Sequence, residues 1–252
     1  MVKIYSSSEI QGIALSGKIL SGVLKALEKK AEEGAMLRDL DALAYRMIKD
    51  AGGEPAFLGY RPDAQSMPFG ASICASVNDA VVHGLPSDYA LKSGDVLKID
   101  AGVKLNGFYS DSAITVGIGE IPKEAKILIK STREALEKAI KEMKPGKTLG
   151  DMGFAIKRVA DKNGLAVIRE LTGHGVGLDL HEEPTVYNFG EKGKGMVLRE
   201  GMVLAVEPMF SLGSSEVIQL PDESWATEDG SLSAHFEHTI AVTARGPKIL
   251  TK

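Results

Sequence analysis

The sequence predicts an α+β fold made of two similar halves, and three observations lead there. The order helix, helix, strands occurs twice along the 252 residues. Short stretches of the second half repeat stretches of the first in the same order. Each repeated strand stretch also sets one carboxylate against another.

The first helix is expected within "SSSEIQGIALSGKILSGVLKALEKKAEEG", where Ile10, Ile13, Leu20, Leu24 and Leu27 recur at helical intervals. Ser8 and Gln11 have capping-box spacing, and Gly34 supplies a stop. "LRDLDALAYRMIKDAGG" reads as a second helix ending at Gly52. A Gly- and Pro-rich stretch follows, and then the strand candidate "ASICASVN". "DVLKIDAGV" and "FYSDSAITVGIG" form a hairpin about Asn106-Gly107, a dipeptide suited to a tight two-residue turn. Two more helices are expected in "KEAKILIKSTREALEKAIKEM" and "TLGDMGFAIKRVADKNG". From Glu170 onward the chain reads as strands and turns.

The repeat is visible residue by residue. "LKSGDVLKIDAGV" aligns with "LREGMVLAVEPMF", matching Leu91 with Leu198, Gly94 with Gly201, and Asp100 with Glu207. "YSDSAITV" aligns with "HFEHTIAV" and sets Asp111 against Glu237. "GAMLRDL" aligns with "GKTLGDM". One domain spanning residues 1–252 is expected, with internal halves of roughly 1–120 and 121–252. Two halves packed about a pseudo-two-fold axis would each offer a carboxylate pair to one cleft.

Composition narrows the class. Hydrophobic residues make up 44% and charged residues 25%, the balance of a globular domain. A net charge of -4 argues against general nucleic-acid binding, which usually needs a basic excess. Cys74 is the only cysteine, so no internal disulfide forms, as expected in a reducing compartment. The N-terminus lacks a signal-peptide core, and the apolar runs are judged too short for a membrane span. A cytoplasmic monomer is expected, without membrane contact.

Four converging carboxylates need a cationic partner. Apolar strand surroundings make an unpaired ionised acid costly, and like charges repel. Two divalent ions would balance four carboxylates. With one imidazole added, the donor set suits Mn, Fe(II), Co or Zn. Two such ions activate water and polarise a carbonyl, so the chemistry is hydrolysis.

Asp100, Asp111, His174, Glu207 and Glu237, in that order, resemble the dinuclear site of the pita-bread metallopeptidases, above all the type I methionine aminopeptidases. "SVNDAVVHGLP", "GHGVGLDLHEEP", "GMVLAVEPMF" and "SLSAHFEHTIAVT" carry the likeness with the hairpin, over nearly the whole chain. It implies a central antiparallel sheet that forms a cleft, with helices packed outside. It also implies removal of the initiator methionine from peptides and nascent chains, preferring a small second residue, by a metal-activated hydroxide that attacks the first peptide bond.

The resemblance assigns His174 to metal binding and Glu207 to both ligation and proton transfer. His83 and His181 are assigned to the substrate and the developing charge. Phe57, Tyr60, Cys74, Leu180 and Trp225 are expected to line the methionine pocket. Phe57 is bulkier than the family's common residue, and Leu180 replaces a usual aromatic. The segment Arg61 to Ser72 is longer than usual and reads as an exposed loop beside the cleft. His235 and His238 are expected to be ordinary core or surface groups. Transient ribosome contact is compatible with the resemblance. The rivals are a proline-specific relative and a non-catalytic binding protein, and the latter would be expected to have lost ligands.

Overall fold

The computed structural model of the chain describes residues 2–61, 63 and 66–252. The first half runs α1 (Ser7–Lys30), α2 (Leu37–Asp50), β1 (Glu54–Pro55), β2 (Ile73–Val77), β3 (Ala80–Val82), β4 (Val96–Leu105) and β5 (Phe108–Gly117). The second begins with α3 (Lys123–Glu142), α4 (Leu149–Asn163), β6 (Ala166–Val167), β7 (Gly173–Gly175), β8 (Glu182–Val186) and β9 (Val203–Val206). It continues through β10 (Met209–Ser211), β11 (Val217–Gln219), β12 (Trp225–Thr227), β13 (Ser233–His235), β14 (His238–Thr243) and β15 (Gly246–Ile249).

Both halves build the same unit. In the first, β4 lies between β5 and β2 in antiparallel pairing, with β1 extending the β2 side. In the second, β9 lies between β14 and β7, and β15 and β8 flank them. The Asn106-Gly107 turn joins β4 to β5 with φ of 52° and 83°, the positive pair that a tight hairpin of right-twisted strands demands.

The helices cover the outer face. Ile13, Leu20, Val23, Leu24 and Leu27 are buried along one side of α1, against β4 and β5. Gly17 sits where the C-terminal segment crosses α1, and a Cβ there would collide with the Leu250 carbonyl. α1 is capped by Ser6 and Glu9, which exchange a capping box, so the cap lies two residues before the expected Ser8–Gln11 pair. The helix ends at Lys30, short of Gly34. Its mean hydropathy of 1.2 makes α1 long and apolar enough to span a membrane, contrary to the reading that no run approaches that. Its apolar stripe is instead spent on the sheet.

α3 and α4 pack together over β9, β10 and β14, with Leu136, Ala139, Met152, Ile156, Leu204 and Phe210 in one cluster. Thr148 and Asp151 cap α4, and Gly164 ends it in the left-handed conformation. α2 opens on Met36 with no side-chain cap.

Candidate metal centre and active site

Register brings the acids together. Asp100 on β4 stands opposite Ala113, and Asp111 on β5 opposite Gly102. The two acids are therefore diagonal neighbours on one face, since residues two apart share a side of the pleat. In the other half, His238 pairs with Val206. Continuing that register sets Glu237 opposite Glu207, each just outside its strand rather than within one as expected. His174 on β7 stands opposite Ala205, diagonal to Glu207.

The halves meet along β5 and the segment from β13 to β14. Glu237 N–H donates to the Ala113 carbonyl. Ser112 Oγ donates to the Glu237 carbonyl at 2.7 Å. Thr239 Oγ1 accepts from Asp111 N–H and donates to the Asp111 carbonyl. Thr115 Oγ1 makes the same two-way link with His235. Hydroxyls of one half thus hold the backbone beside the other half's acid.

Ligand atoms of Asp111, His174 and Glu237 all lie within 4.8 Å of one another. His174 Nε2 is 3.9 Å from Asp111 and 3.6 Å from Glu207. Asp100 adjoins this group, its carboxyl interacting with those of Asp111 and Glu207. Asp100 Oδ1, Asp111 Oδ1 and Glu237 Oε1 are buried without a hydrogen-bond partner among the described residues. Buried acceptors are normally satisfied, so three orphaned carboxylate oxygens in and beside this cluster fit a cation there. Removal from water pushes Asp100 and Glu207 up to about 7. Burial and then neighbouring acids also push Asp111 and Glu237 well above the ordinary carboxylate range. In that state protons do the work a divalent ion would do.

Histidines stand around this cluster. The His174 and His181 rings lie 4.4 Å apart, edge to face. His181 Nδ1 is 2.6 Å from the Tyr60 hydroxyl. Its loop is held by Glu182, which accepts hydrogen bonds from Tyr5 Oη, Leu178 N–H and Asp179 N–H. Although His181 and His83 each keep an edge open to solvent, crowding removes enough water to lower both pKa values. His181 falls to about 3, helped by the nearby His174 and His83. His83 adopts a left-handed conformation with φ of 59°.

His235 departs from the sequence expectation. It is buried, neither ring nitrogen has a hydrogen-bond partner among the described residues, and Nε2 lies 3.4 Å from Glu207 Oε2. It belongs to the wall of the acidic cluster. Strand alternation was the available signal, because His235 and Glu237 share a face two residues apart. His238 does behave as a core group, bonded to Thr251 Oγ1.

Of the apolar pocket candidates, Phe57, Cys74 and Leu180 form one buried cluster with Tyr60 packed against it. Cys74 stands opposite Asp100, so this cluster adjoins the acids. Phe69 joins it edge to face with Phe57, with ring centres 6.3 Å apart. Trp225 packs instead with Val81, Val82, Ile168, Met209 and Val217. Phe69 belongs to the Arg61 to Ser72 segment, so part of that loop turns inward. Pro62, Ala64 and Gln65 of the same loop lie outside the described residues.

Buried carboxylates converging on an imidazole, shared between two repeats of one α+β unit, define a metallohydrolase of the pita-bread class. The chain belongs to metallopeptidase family M24, whose model matches residues 11–244, and such a peptidase works with divalent metal. It is 43% identical to a methionine aminopeptidase of Clostridium perfringens, covering 100% of this chain and 99% of that one. It is 44% identical to methionine aminopeptidase 1 of Bacillus subtilis, covering 94% of each. The crystal structure of a methionine aminopeptidase from Thermotoga maritima superposes with a TM-score of 0.95, at 42% identity and 100% coverage of both chains. A prolidase from Pyrococcus furiosus gives 0.76 at 26% identity, covering 99% of this chain and 65% of that one.

Proposed function

We propose that this chain removes the N-terminal methionine from peptides and nascent proteins, using two divalent ions held by Asp100, Asp111, His174, Glu207 and Glu237. The observation that carries the reading is the cluster of Asp111, His174 and Glu237 ligand atoms within 4.8 Å of one another, with buried carboxylate oxygens of Asp100, Asp111 and Glu237 unpartnered among the described residues. Oxygen donors with a single imidazole suit Mn, Fe(II), Co or Zn. When bound, such ions make water acidic and polarise a carbonyl.

The chain's own groups supply the rest. Glu207, with His174 at 3.6 Å and His235 at 3.4 Å, is placed to hold a proton and return it to the leaving amine. His181 is held by Tyr60 and kept neutral by its surroundings. In that state it can offer one N–H to a carbonyl oxygen as negative charge develops there. His83 faces the cleft from the first half and steadies the substrate backbone. Phe57, Tyr60, Cys74, Leu180 and Phe69 form the apolar wall for a thioether side chain, which favours aromatic contacts. Trp225, from its separate cluster, is assigned the pocket's outer rim. The preference for a small second residue is steric, since a bulky one would crowd the acids. A monomer acting in the cytoplasm, with transient ribosome contact, completes the reading.

The test is metal-restored peptidase activity. Protein stripped with chelator is given Mn, Fe(II), Co or Zn, and Met release from Met-Ala-Ser is followed beside an Ala-Pro peptide. Metal-dependent Met release that vanishes in Asp111→Ala is expected. Cleavage of the proline peptide alone would overturn the substrate assignment.

A further inference from the structure

Lys98 heads the large side chains that the fold buries completely, with 1% of its surface exposed. It lies on β4 two residues before Asp100 and so shares that acid's face of the sheet. The repeat sharpens the oddity. Lys98 stands opposite Ser76, while the equivalent position in the second half is Ala205, opposite His174. The buried amine thus has no counterpart in the second half, and such a group persists only when its donors are used.

Its donors go to the β2–β3 turn and to the start of its own strand. Lys98 Nζ donates to the Asn78 carbonyl at 2.6 Å and, more weakly, to the Val96 carbonyl at 3.4 Å. The same Asn78 carbonyl accepts from Ser233 N–H and Ser233 Oγ of β13. Asn78 itself is left-handed, with φ of 56°. Its side chain donates to Asp95 and accepts from Val96 N–H. Asn78 is therefore a node where β4, β13 and the β2–β3 turn meet. Five residues later stands His83, also left-handed, and just beyond it Gly84 is bonded to Ser76 and Ala75. A strained residue persists only where its surroundings hold it, and these two anchors bracket the left-handed backbone that carries the His83 imidazole.

We infer that Lys98 is a positioning residue that fixes the β2–β3 turn, and with it His83, against the strand bearing Asp100. The inference rests on the reading of His83 as a substrate-facing group. Its opposite, a lysine that serves only overall stability, makes a different prediction at every step below.

The experiment combines Lys98→Met, which keeps length and loses every donor, with Lys98→Gln, which keeps a donor on a shorter arm. Lys98→Met is expected to lower kcat for Met release about 30-fold, the range for groups that orient a reacting residue, with KM changed less than about threefold. Lys98→Gln is expected to recover part of that loss. In the cycle with His83→Ala, the double variant is expected to be no slower than His83→Ala alone, because the second change removes what the first already lost. Amide exchange in residues 78–84 is expected to quicken in Lys98→Met while α3 and α4 stay unchanged.

Full activity in Lys98→Met would overturn the inference. So would losses that multiply in the cycle, or exchange that rises equally everywhere. If the Met variant does not fold, the Gln variant carries the same cycle, and independence from His83 there sinks the idea. A wild-type chain that releases no methionine would defeat the functional reading instead. The exchange measurement would then still decide whether Lys98 holds the turn.

Discussion

The two halves share a plan and differ in how it is executed at the acids. In the first, β4 and β5 pair without interruption over ten residues each, and Asp100 and Asp111 lie inside that ladder. In the second, the matching strands are cut, β9 from β10 at Glu207-Pro208 and β13 from β14 at Phe236-Glu237. Pro208 stands where the first half has Ala101, and proline cannot donate to a ladder. The interruption leaves Glu237 N–H to seek its acceptor in the other half, at Ala113. One half is a rigid platform. The other is opened at its acids and closes upon it.

The largest effect should come from removing one ligand on each side of this comparison. Asp111→Ala and Glu237→Ala should each lower peptidase activity by at least about 1000-fold, more than loss of an outer partner costs. Steady-state Met release checks this. If only the first-half variant is inactive, the second-half acids are not equal members of one centre.

Metal removal gives the next effect. Without metal, burial raises Asp100 and Glu207 to about 7 and raises Asp111 and Glu237 well above the usual carboxylate range, all above their unfolded values. The folded state then binds more protons than the unfolded one, so stability falls as pH rises through this range. His83, His181, His235 and His238 are shifted downward and act oppositely, but only below their unfolded pKa of about 6.5. Lys98, lowered to about 7 by burial, also opposes the trend within the window but is one group against four acids. Between about pH 6.5 and 8, the melting temperature in chelator should therefore fall. Mn(II) at about a hundred times its Kd should raise it by about 5–10 °C and flatten the trend. A chelated protein whose melting temperature climbs through that window would contradict the burial of these acids.

A clamp between the halves should matter less. Thr239→Val keeps shape but strips Asp111 N–H and its carbonyl of their shared partner. A cost of about 1–3 kcal/mol is expected, read by chemical denaturation, with metal affinity weakened. The smallest effect concerns the helix caps. Thr148→Ala removes the cap of α4 and should cost about 1 kcal/mol. Met36→Thr should return a fraction of that to uncapped α2.

Legibility followed how local each signal was. The Asn106-Gly107 turn, the apolar stripe of α1 and the glycine ending α4 are short-range features, and each could be read directly. The four acids were readable because the repeat doubled the signal. For His235 alternation with Glu237 offered its face alone, because its closeness to Glu207 depends on β10 pairing with β13, a contact between segments some 25 residues apart. Ser6 was passed over for Ser8 because three consecutive serines offer equivalent caps, and only Glu9 selects among them. Lys98 could have been noticed, since the parity of "LKID" puts it on the side of Asp100. A lysine in a strand reads by default as solvent-facing, and the turn that receives it lies twenty residues upstream. Trp225 could not be sorted from the other apolar candidates without knowing that β12 pairs with β3.

The reciprocal clamps at the seam have one more consequence. Ser112 follows Asp111 and grips the backbone of Glu237, while Thr239 lies two residues past Glu237 and grips the backbone of Asp111. Because strand faces alternate residue by residue, a slip of one position along this seam would turn both hydroxyls away and swing an acid out of the cluster. Two hydroxyl groups thus tie the alignment of the halves to the placement of one acid from each, so that a correct seam and a complete cluster come as one event.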